Sequence, residues 1–535
     1  MSKLKSLNLN QYFRSNIEII ILFILTSVLA FAFVFKGFVT GDMIRYSLGM
    51  RGVIENGLTN TGKGFDSEIG FGYYVILYSL YSLFGNHITL STLMNYLSAT
   101  ALLFLICNLF YFFKTLSSDK LLSLFACIGV MLSAGIWFIS HYGNPNILSL
   151  TFLFSSINLF ILIASKPAHK YPVALWILFF ILSIITLSIR LDTILSYASL
   201  FGLLYYKQLF NLKSLYKTVI ALIVIVLLTF LLRYLFIGYF LSPGGGTVVY
   251  HLLHRIEPSI LIKNIFVNLA FWSISANVIF SAVAIIGFLD PRISSRLKVL
   301  FISMIIPWFI FLPFRAMDTG RILVPTFPII IYLATHYTVF LFRKYKLASL
   351  TFLLVLSQLV SVFLYLPITK SFNFKKSVDG RFLGTLPLGF LPKDNFVRQK
   401  YINTQSQIAD KISVAKDKDV LIIGESGNSL MYYVWSLYNS RKIASYDEIV
   451  LNEVFIALYK TESNTFYFLE LNQNRQLSDP LQRTFEYFKD KKVDTHVVPY
   501  WTEYPVDIEN LFIDENDSIQ LLEREVAVMQ TRNKY

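Results

Sequence analysis

Residues 218–240 read TVIALIVIVLLTFLLRYLFIGYF, an apolar run interrupted by one charged residue, Arg233. At about 1.5 Å of rise per residue, a helix of this length crosses about 30 Å of hydrocarbon. Similar runs stand at 19–35, IIILFILTSVLAFAFVF, and at 349–366, SLTFLLVLSQLVSVFLYL. The run therefore predicts a membrane-spanning helix, and its repetition along the chain predicts a polytopic membrane protein.

The composition of the whole chain agrees with that prediction. Of its 535 residues, 55% are hydrophobic and 15% are charged, and the mean hydropathy is +0.57. A soluble domain carries about 25% charged residues. The apolar runs end near Pro367, and charged residues become frequent only beyond it. Cys107 and Cys127 both lie in apolar runs, so we expect no disulfide framework.

The basic residues predict how these runs cross the membrane. The formal net charge of +14 comes largely from short loops between apolar runs, as the positive-inside rule predicts. The segment FGYYVILYSLYSLFG at 71–85 is short for a span, and all short basic loops fall on one side only if it lies in the interface. We therefore expect about eleven spans plus an interfacial helix, a cytoplasmic N-terminus and an exterior, periplasmic C-terminus. The predicted location is the plasma (inner) membrane, in a multi-pass arrangement.

The predicted fold class is mainly α, a polytopic transmembrane helical domain followed by a small exterior α/β domain. The domains are expected at 1–370 (transmembrane), 371–394 (linker) and 395–535 (exterior, soluble). In the last part the turn GESGNS at 424–429 holds only two glycines, so no nucleotide is expected there. DVLIIGESGNS (419–429) predicts a strand, a turn and the start of a helix. TFYFLEL (465–471) and KVDTHVVPY (492–500) predict further strands, with a helix between them at DPLQRTFEYFKDKK (479–492).

Placing an ionisable side chain in or beside a bilayer costs free energy, so each such residue is a candidate for a functional role. In this topology they gather at the outer face, where carboxylates can accept a proton and guanidinium groups can hold a phosphate. Structural alternatives stay open: a helix cap for Asp42, an anchor pair for Arg190 and Asp192, and lipid or backbone contacts for the other arginines. The candidates are Asp42, Arg45, Asp66, Glu68, Arg190, Asp192, Arg233, Arg315, Asp318 and Arg321, with Asn144 in the turn SHYGNPN.

A metal site is not predicted. His251 and His254 are three residues apart, but no Cys or Glu nearby completes a ligand set. The cofactor is unknown, and a divalent cation stays open. Asn144 and Asn146 flank Pro145, which favours a turn, with substrate binding as the alternative.

The order of several motifs resembles a known family. A first span ends in VTGDMIRY (39–46), an exterior loop leads to YYVILYSLYSLFGNH (73–87), and two spans meet at SHYGNPNILSL (140–150). Later, RAMDTGRILVPTFPIIIYLA (315–334) joins an arginine-bearing loop to a proline-punctuated span. This pattern resembles the GT-C membrane glycosyltransferases, in particular relatives of protein O-mannosyltransferase and of lipid A aminoarabinose transferase. The resemblance covers about the first 370 residues.

The resemblance implies a cell-envelope glycosyltransferase, an enzyme that moves a hexose or pentose from a polyprenyl-phosphate carrier to a glycan, lipid or protein acceptor. It implies Asp42 as the catalytic residue and Arg315 and Arg321 as contacts of the carrier phosphate. Arg190 and Arg233 can add positive charge for the same phosphate. The remaining candidates, Arg45, Asp66, Glu68, Asn144, Asp192 and Asp318, are expected to contact substrate. The bilayer is a partner, and nucleic acid is not expected.

The sequence departs from these relatives at two places. Many have His-Pro-Pro before the aromatic segment, where this chain has SEIGFG at 67–72, and many have an acidic residue where it has Asn144 and Asn146. The metal and sugar contacts are therefore expected to differ. Three alternatives stay open: a transporter or flippase of lipid-linked saccharide, a polysaccharide polymerase or ligase, and a non-catalytic membrane scaffold.

Overall fold

We describe the protein from a computed structural model. The chain divides into two compact units, one holding most of the helices and one holding Lys393–Tyr535 with two short earlier segments. The predicted boundaries at 370 and 394 stay predictions. The residues described are 17–35, 43, 46–47, 50, 53–54, 70–85, 87–165, 173–237, 258–312, 322–371 and the five strands given below.

Apolar helices dominate the first part of the chain, because a helix satisfies its own backbone groups where no water can. Short 3-10 helices at Leu191–Ala198, Ile306–Phe311, Val324–Thr326 and Arg343–Tyr345 connect some of them. The helices are α1 (Ile17–Ala32), α2 (Phe71–Phe84), α3 (Leu90–Ser117), α4 (Lys120–Met131), α5 (Ala134–Ser140), α6 (Pro145–Ala164), α7 (Val173–Ile189), α8 (Ser199–Tyr206), α9 (Leu212–Ile237), α10 (Pro258–Ala276), α11 (Val278–Leu289), α12 (Ser295–Ile305), α13 (Phe327–Leu341) and α14 (Lys346–Ser371).

Several of these helices have the length and composition to cross a membrane. Within the described residues there are four, namely α3, α6, α9 and α13 with the 3-10 turn before it. The count rises to six if two bent pairs are each one span: α4 with α5, bent by 65°, and the second half of α10 with α11, bent by 102°. Shorter apolar helices are α1, α2 and α7. The chain is thus a membrane protein of mainly helical structure, and the number of about eleven spans stays a prediction.

The sharper of the two bends has a clear local cause. Asn277 has φ 87°, a left-handed conformation through which an α-helix cannot continue. Its side-chain oxygen accepts a hydrogen bond from the Ile279 nitrogen at 3.1 Å, which starts α11. Its amide nitrogen donates to the Ser357 carbonyl of α14 at 3.0 Å. Asn277 therefore ends one helix, caps the next and fixes both to a third.

Contacts at the C-terminal end of α3 bring together loops that the sequence predicts on one side of the membrane. The Tyr206 hydroxyl, at the end of α8, donates to the Leu116 carbonyl at 2.6 Å. Lys346, at the start of α14, forms an ion pair with Asp119, between α3 and α4. The first bond caps the end of α3, and the two together fix where three helix connections meet. Their cytoplasmic location stays a prediction from the positive-inside rule.

The five described strands of the second unit form one mixed sheet in the order β2-β3-β1-β4-β5. β1 pairs with β4 in parallel and with β3 antiparallel, β2 pairs with β3 antiparallel, and β4 pairs with β5 in parallel. Strands β1, β4 and β5 overlap the three stretches predicted to form strands, β2 and β3 were not predicted, and the exterior α/β domain stays a prediction. The predicted helix at 479–492 and the turn 426–429 lie outside the described residues. The strands are β1 (Lys418–Glu425), β2 (Tyr446–Leu451), β3 (Val454–Tyr459), β4 (Glu462–Glu470) and β5 (Thr495–Pro499).

Candidate functional site

The turn before α6 is built from the Asn-Pro-Asn sequence. Asn144 is extended, with φ −134° and ψ 124°, and its side-chain oxygen accepts from the Asn146 nitrogen at 2.8 Å. Pro145 takes the first helical position, where a missing N–H costs nothing. Both asparagines are buried. The predicted turn is therefore confirmed, with Asn144 as the helix N-cap.

Side chains of α3 form hydrogen bonds to the backbone of this turn. The Gly143 nitrogen donates to Asn95 Oδ1 at 2.7 Å, and the Asn144 nitrogen donates to Ser98 Oγ at 3.0 Å. Asn95 and Ser98 are three residues apart and so share one face of the helix. The Asn144 amide also donates to the Tyr142 hydroxyl at 2.8 Å. The turn is thus fixed by a network of buried neutral groups.

Arg190 lies where α7 ends and the 3-10 helix Leu191–Ala198 begins. Its Nε donates to Asp192 Oδ1 at 3.0 Å and its Nη2 donates to Asp192 Oδ2, which gives a two-pronged ion pair. Its Nη1 donates to Asn146 Oδ1. The two charged side chains are 18% and 20% exposed. The structure thus brings three sequence-predicted polar residues, Arg190, Asp192 and Asn146, into one cluster.

Two glycines let the start of α2 approach the same place. The Gly70 nitrogen donates to the Ile189 carbonyl at 3.0 Å, directly before Arg190. A Cβ at Gly70 would overlap the Ser188 carbonyl, and one at Gly72 would overlap the Ser188 hydroxyl. Only glycine permits so close an approach of two backbones. These glycines belong to the SEIGFG segment that departs from the family pattern.

Arg233 lies on α9, whose end meets the same helices. Phe236, one turn after Arg233, stacks on Phe71 of α2 with ring centres 5.3 Å apart. Helix α9 also packs against α7, which presents Arg190. Arg233 is 8% exposed, so its charge is buried among protein groups rather than extended into solvent. The ends of α2, α7 and α9 therefore meet near two of the predicted arginines.

His141 belongs to the same turn, and the sequence did not single it out. Its Nδ1 lies 2.6 Å from the Trp137 carbonyl and its Nε2 lies 3.2 Å from the Leu29 carbonyl of α1. Burial lowers the pKa of His141, and the two carbonyl contacts oppose that shift without cancelling it. A neutral ring donates from one nitrogen at a time, so it binds one of these carbonyls as donor. His141 links the turn to the last part of α1.

Some residues of this site were not predicted, and several predicted residues lie outside the described parts of the chain. Asn95, Ser98 and Tyr142 were missed by the sequence analysis, although two polar residues one turn apart in an apolar helix are a usable signal. The described residues contain no group of three or more His, Cys, Asp or Glu that could hold a metal ion. Predicted residues that lie outside the described parts are Asp42, Arg45, Asp66, Glu68, His251, His254, Arg315, Asp318 and Arg321.

Comparisons with known proteins give structural likeness without sequence matches. No family model matches the chain, and no curated protein matches it significantly. Similar solved structures include ArnT from Cupriavidus metallidurans bound to undecaprenyl phosphate, with a TM-score of 0.49 and 13% identity over 83% of this chain and 98% of that chain. The apo state of ArnT from the same organism gives a TM-score of 0.46 and 14% identity over 78% and 84%. Likeness at this level does not assign an activity to this chain.

Proposed function

We propose that this chain is a membrane glycosyltransferase that moves a sugar from a polyprenyl-phosphate carrier to an acceptor at the outer face of the membrane. The observation that carries the proposal is the held guanidinium of Arg190. It is fixed by Asp192 and Asn146 at the end of apolar helices. A lipid phosphate needs both an apolar surface for its tail and fixed positive charge for its head group.

The proposed reaction is a single displacement with inversion at the anomeric carbon. An acceptor oxygen attacks that carbon, the bond from the carbon to the phosphate oxygen breaks, and polyprenyl phosphate leaves with the electron pair. The acceptor's proton passes to the carboxylate of Asp42. Because the leaving group is already a stable anion, it needs fixed positive charge more than a strong acid. Arg190, Arg233, Arg315 and Arg321 would supply that charge.

The remaining candidates take supporting places in this proposal. Arg45, Asp66, Glu68, Asn144, Asp192 and Asp318 would contact the sugar or the acceptor. The unit with the five-stranded sheet would lie outside the inner membrane and bind the acceptor. A divalent cation stays open, and the sugar would be a hexose or pentose.

The experiment is release or transfer of labelled sugar from a panel of polyprenyl-monophosphate sugars by the purified full-length protein. Wild type should release sugar from one donor, and Asp42→Asn should lose that activity while keeping its unfolding temperature, because an amide cannot accept the proton. The matched control is Asp290→Asn, a carboxylate that follows α11 and contacts Arg292 and the Tyr337 hydroxyl of α13. Near-normal turnover by Asp42→Asn would remove that residue from the chemistry. No release from any donor, with any acceptor class supplied, would count against the enzyme.

A second candidate function is transport or flipping of a lipid-linked saccharide. The bend of 102° at Asn277 favours it, because transporters place their binding sites at broken helices. A vesicle assay that follows a fluorescent lipid-linked sugar across the bilayer separates the two. Movement without sugar release would support the transporter, whereas release without movement would support the enzyme. A scaffold would show neither.

A further inference from the structure

Helix α9 leaves one of its faces open along most of its length. Of the four described helices that are long and apolar enough to cross a membrane, it is the least buried, with 22% of its apolar window buried. Its buried side chains recur every three or four residues and so share one face, namely Thr218, Ala221, Ile225 and Thr229. The opposite face is exposed and apolar, so in a bilayer it meets lipid.

The open face of α9 carries positive charge at one end. Lys213 and Lys217 are both exposed and lie four residues apart, so they are neighbours on the helix surface. Exposed apolar residues continue the same line at intervals of three or four residues, namely Ile220, Val224, Leu227 and Leu231. From Lys217 to Leu227 the helix rises about 15 Å, half the thickness of the hydrocarbon core. The line therefore has the length of one lipid leaflet.

Within the described residues, no carboxylate neutralises these two lysines. The chain has no Asp or Glu at positions 193–256, which include the whole of α9. Lysines in the neighbouring helix connections are paired, Lys346 with Asp119 and Lys120 with Glu18 at 3.5 Å. The start of α9 therefore presents two positive charges that are open to an external anion.

Local hydrogen bonds fix the start of α9. The Ser214 nitrogen donates to Asn211 Oδ1 at 2.9 Å, and the Asn211 nitrogen donates to Ser214 Oγ at 3.0 Å, which is a reciprocal helix cap. Just before the helix, Lys207 Nζ donates to the Thr115 carbonyl of α3. Tyr216 is 66% exposed, and exposed tyrosines are typical of the interface between membrane and water. The start of α9 therefore lies at the level of the lipid head groups.

We propose that the start of α9 is a binding site for an anionic phospholipid of the bilayer. The phosphate-bearing head group binds Lys213 and Lys217, and one acyl chain lies along Ile220, Val224 and Leu227. Lysine binds phosphate as a point charge, so the negative net charge of the head group decides the affinity. A zwitterionic head group carries a compensating positive charge, and the site therefore selects against it. The inference is independent of the proposed function, because it concerns none of the residues assigned to the reaction.

The test measures which lipid lies against α9. The photoreactive amino acid benzoylphenylalanine replaces Val224, about 10 Å beyond Lys217 along the helix. The full-length protein is placed in nanodiscs that hold equal amounts of phosphatidylglycerol and phosphatidylcholine with the same acyl chains. After illumination, mass spectrometry gives the ratio of the two lipids in the cross-linked product. Phosphatidylglycerol should exceed phosphatidylcholine about fivefold or more, the effect of one lysine near an anionic lipid surface.

Charge-matched variants separate this site from general electrostatic attraction. The double variant Lys213→Gln with Lys217→Gln should bring the lipid ratio close to one, because it removes both charges. Lys213→Arg with Lys217→Arg should keep the enrichment. The control is Arg296→Gln with Lys298→Gln, which removes two charges from the start of α12 and should leave the ratio unchanged.

Three results would overturn the proposal. A ratio close to one in the protein with both lysines would do so, provided that the same probe at Leu227, the next exposed position of the line, gives it too. Unchanged enrichment in the double glutamine variant of α9, or equal losses in the α9 and α12 variants, would show that these lysines form no site. Replacement of phosphatidylglycerol in the product by an equal amount of added polyprenyl monophosphate would assign the site to that carrier instead.

Discussion

The chain contains two ion pairs of nearly identical local chemistry. Arg190 pairs with Asp192, and Arg292 pairs with Asp290, in both cases two residues apart and through the Nε and Nη2 atoms of the guanidinium. Both follow the end of an apolar helix. They differ in which of the two charged side chains makes a further hydrogen bond to the rest of the protein.

In the first pair the cation makes the further hydrogen bond. Arg190 is 18% exposed and also donates to Asn146, which belongs to the buried network of the turn. In the second pair the anion makes the further hydrogen bond. Asp290 is 7% exposed and accepts from the Tyr337 hydroxyl at 3.0 Å, whereas Arg292 is 61% exposed and lies over the ring of Phe340.

This difference teaches how to tell a candidate site from a surface ion pair. A guanidinium whose orientation is fixed by other protein groups can bind a ligand without reorganising. Such preorganised groups stabilise charge that develops during a reaction. An exposed guanidinium that covers a buried carboxylate serves that carboxylate and contributes little else. The sequence pattern is nearly the same, and the third contact separates the two roles.

The largest expected effect is on transfer from the lipid-linked donor. Arg190→Ala should lower the rate by about 10²–10³, the usual cost of removing one preorganised donor. Arg292→Ala should leave the rate within about threefold, because it removes an exposed partner of a surface pair. Both variants would be assayed with the donor that wild type accepts. Equal losses in the two variants would mean that Arg190, like Arg292, serves only the local structure.

A smaller effect is expected on stability from two glycine substitutions. Gly70→Ala would press a Cβ into the Ser188 backbone, which cannot move without shifting α7, and overpacking of this kind costs about 1–3 kcal/mol. Gly287→Ala meets the Tyr337 side chain at 2.9 Å, near the second ion pair. Because this contact is much milder than the 1.6 Å approach of a Gly70 Cβ to the Ser188 carbonyl oxygen, Gly287→Ala should lower the unfolding temperature less. Only Gly70→Ala should also reduce transfer, since it displaces the residues before Arg190. A Gly70→Ala variant with normal transfer would show that this approach does not position Arg190.

The smallest effect concerns acid stability at the second pair. Hydrogen bonds from the Arg292 side chain hold the pKa of Asp290 well below its ordinary value. A carboxyl group whose pKa is lower in the folded protein adds stability above its ordinary pKa of about 4. That stability is lost as the pH falls below this value towards the folded-state pKa. The unfolding temperature of wild type should therefore fall more steeply below about pH 4 than that of Asp290→Asn. Parallel curves for the two proteins would contradict the assignment.

The long apolar helices could be predicted closely from the sequence. The run quoted at 218–240 appears as Leu212–Ile237, and the run at 349–366 appears as Lys346–Ser371. Hydropathy predicts such helices because a span must stay apolar over the whole thickness of the hydrocarbon. The breaks could not be predicted. Asn277 interrupts a run that reads as one helix, because its positive φ depends on a partner in α14 far along the chain.

The candidate site was predictable in part for the same reason. Charged residues at span ends point to Arg190 and Asp192, since their cost in an apolar setting is visible in the sequence. The bond from Arg190 to Asn146 joins residues on different helices, and no local pattern encodes it. The hairpin of β2 and β3 was missed because YDEIVL and VFIALY are short runs that fit a strand or a helix equally well.

The 3-10 helix after Arg190 affects the length of the segment that follows that residue. Leu191–Ala198 and Ser199–Tyr206 each hold 8 residues, and the tighter coil rises farther per residue than an α-helix. The combined segment extends about 28 Å, where an all-α segment would extend about 24 Å. Its two ends are tied, at Arg190 to Asn146 and at Tyr206 to Leu116 of α3. Rewinding the 3-10 helix into an α-helix would shorten the segment by about 4 Å and so draw Arg190 and Tyr206 towards each other, against the two bonds that hold them.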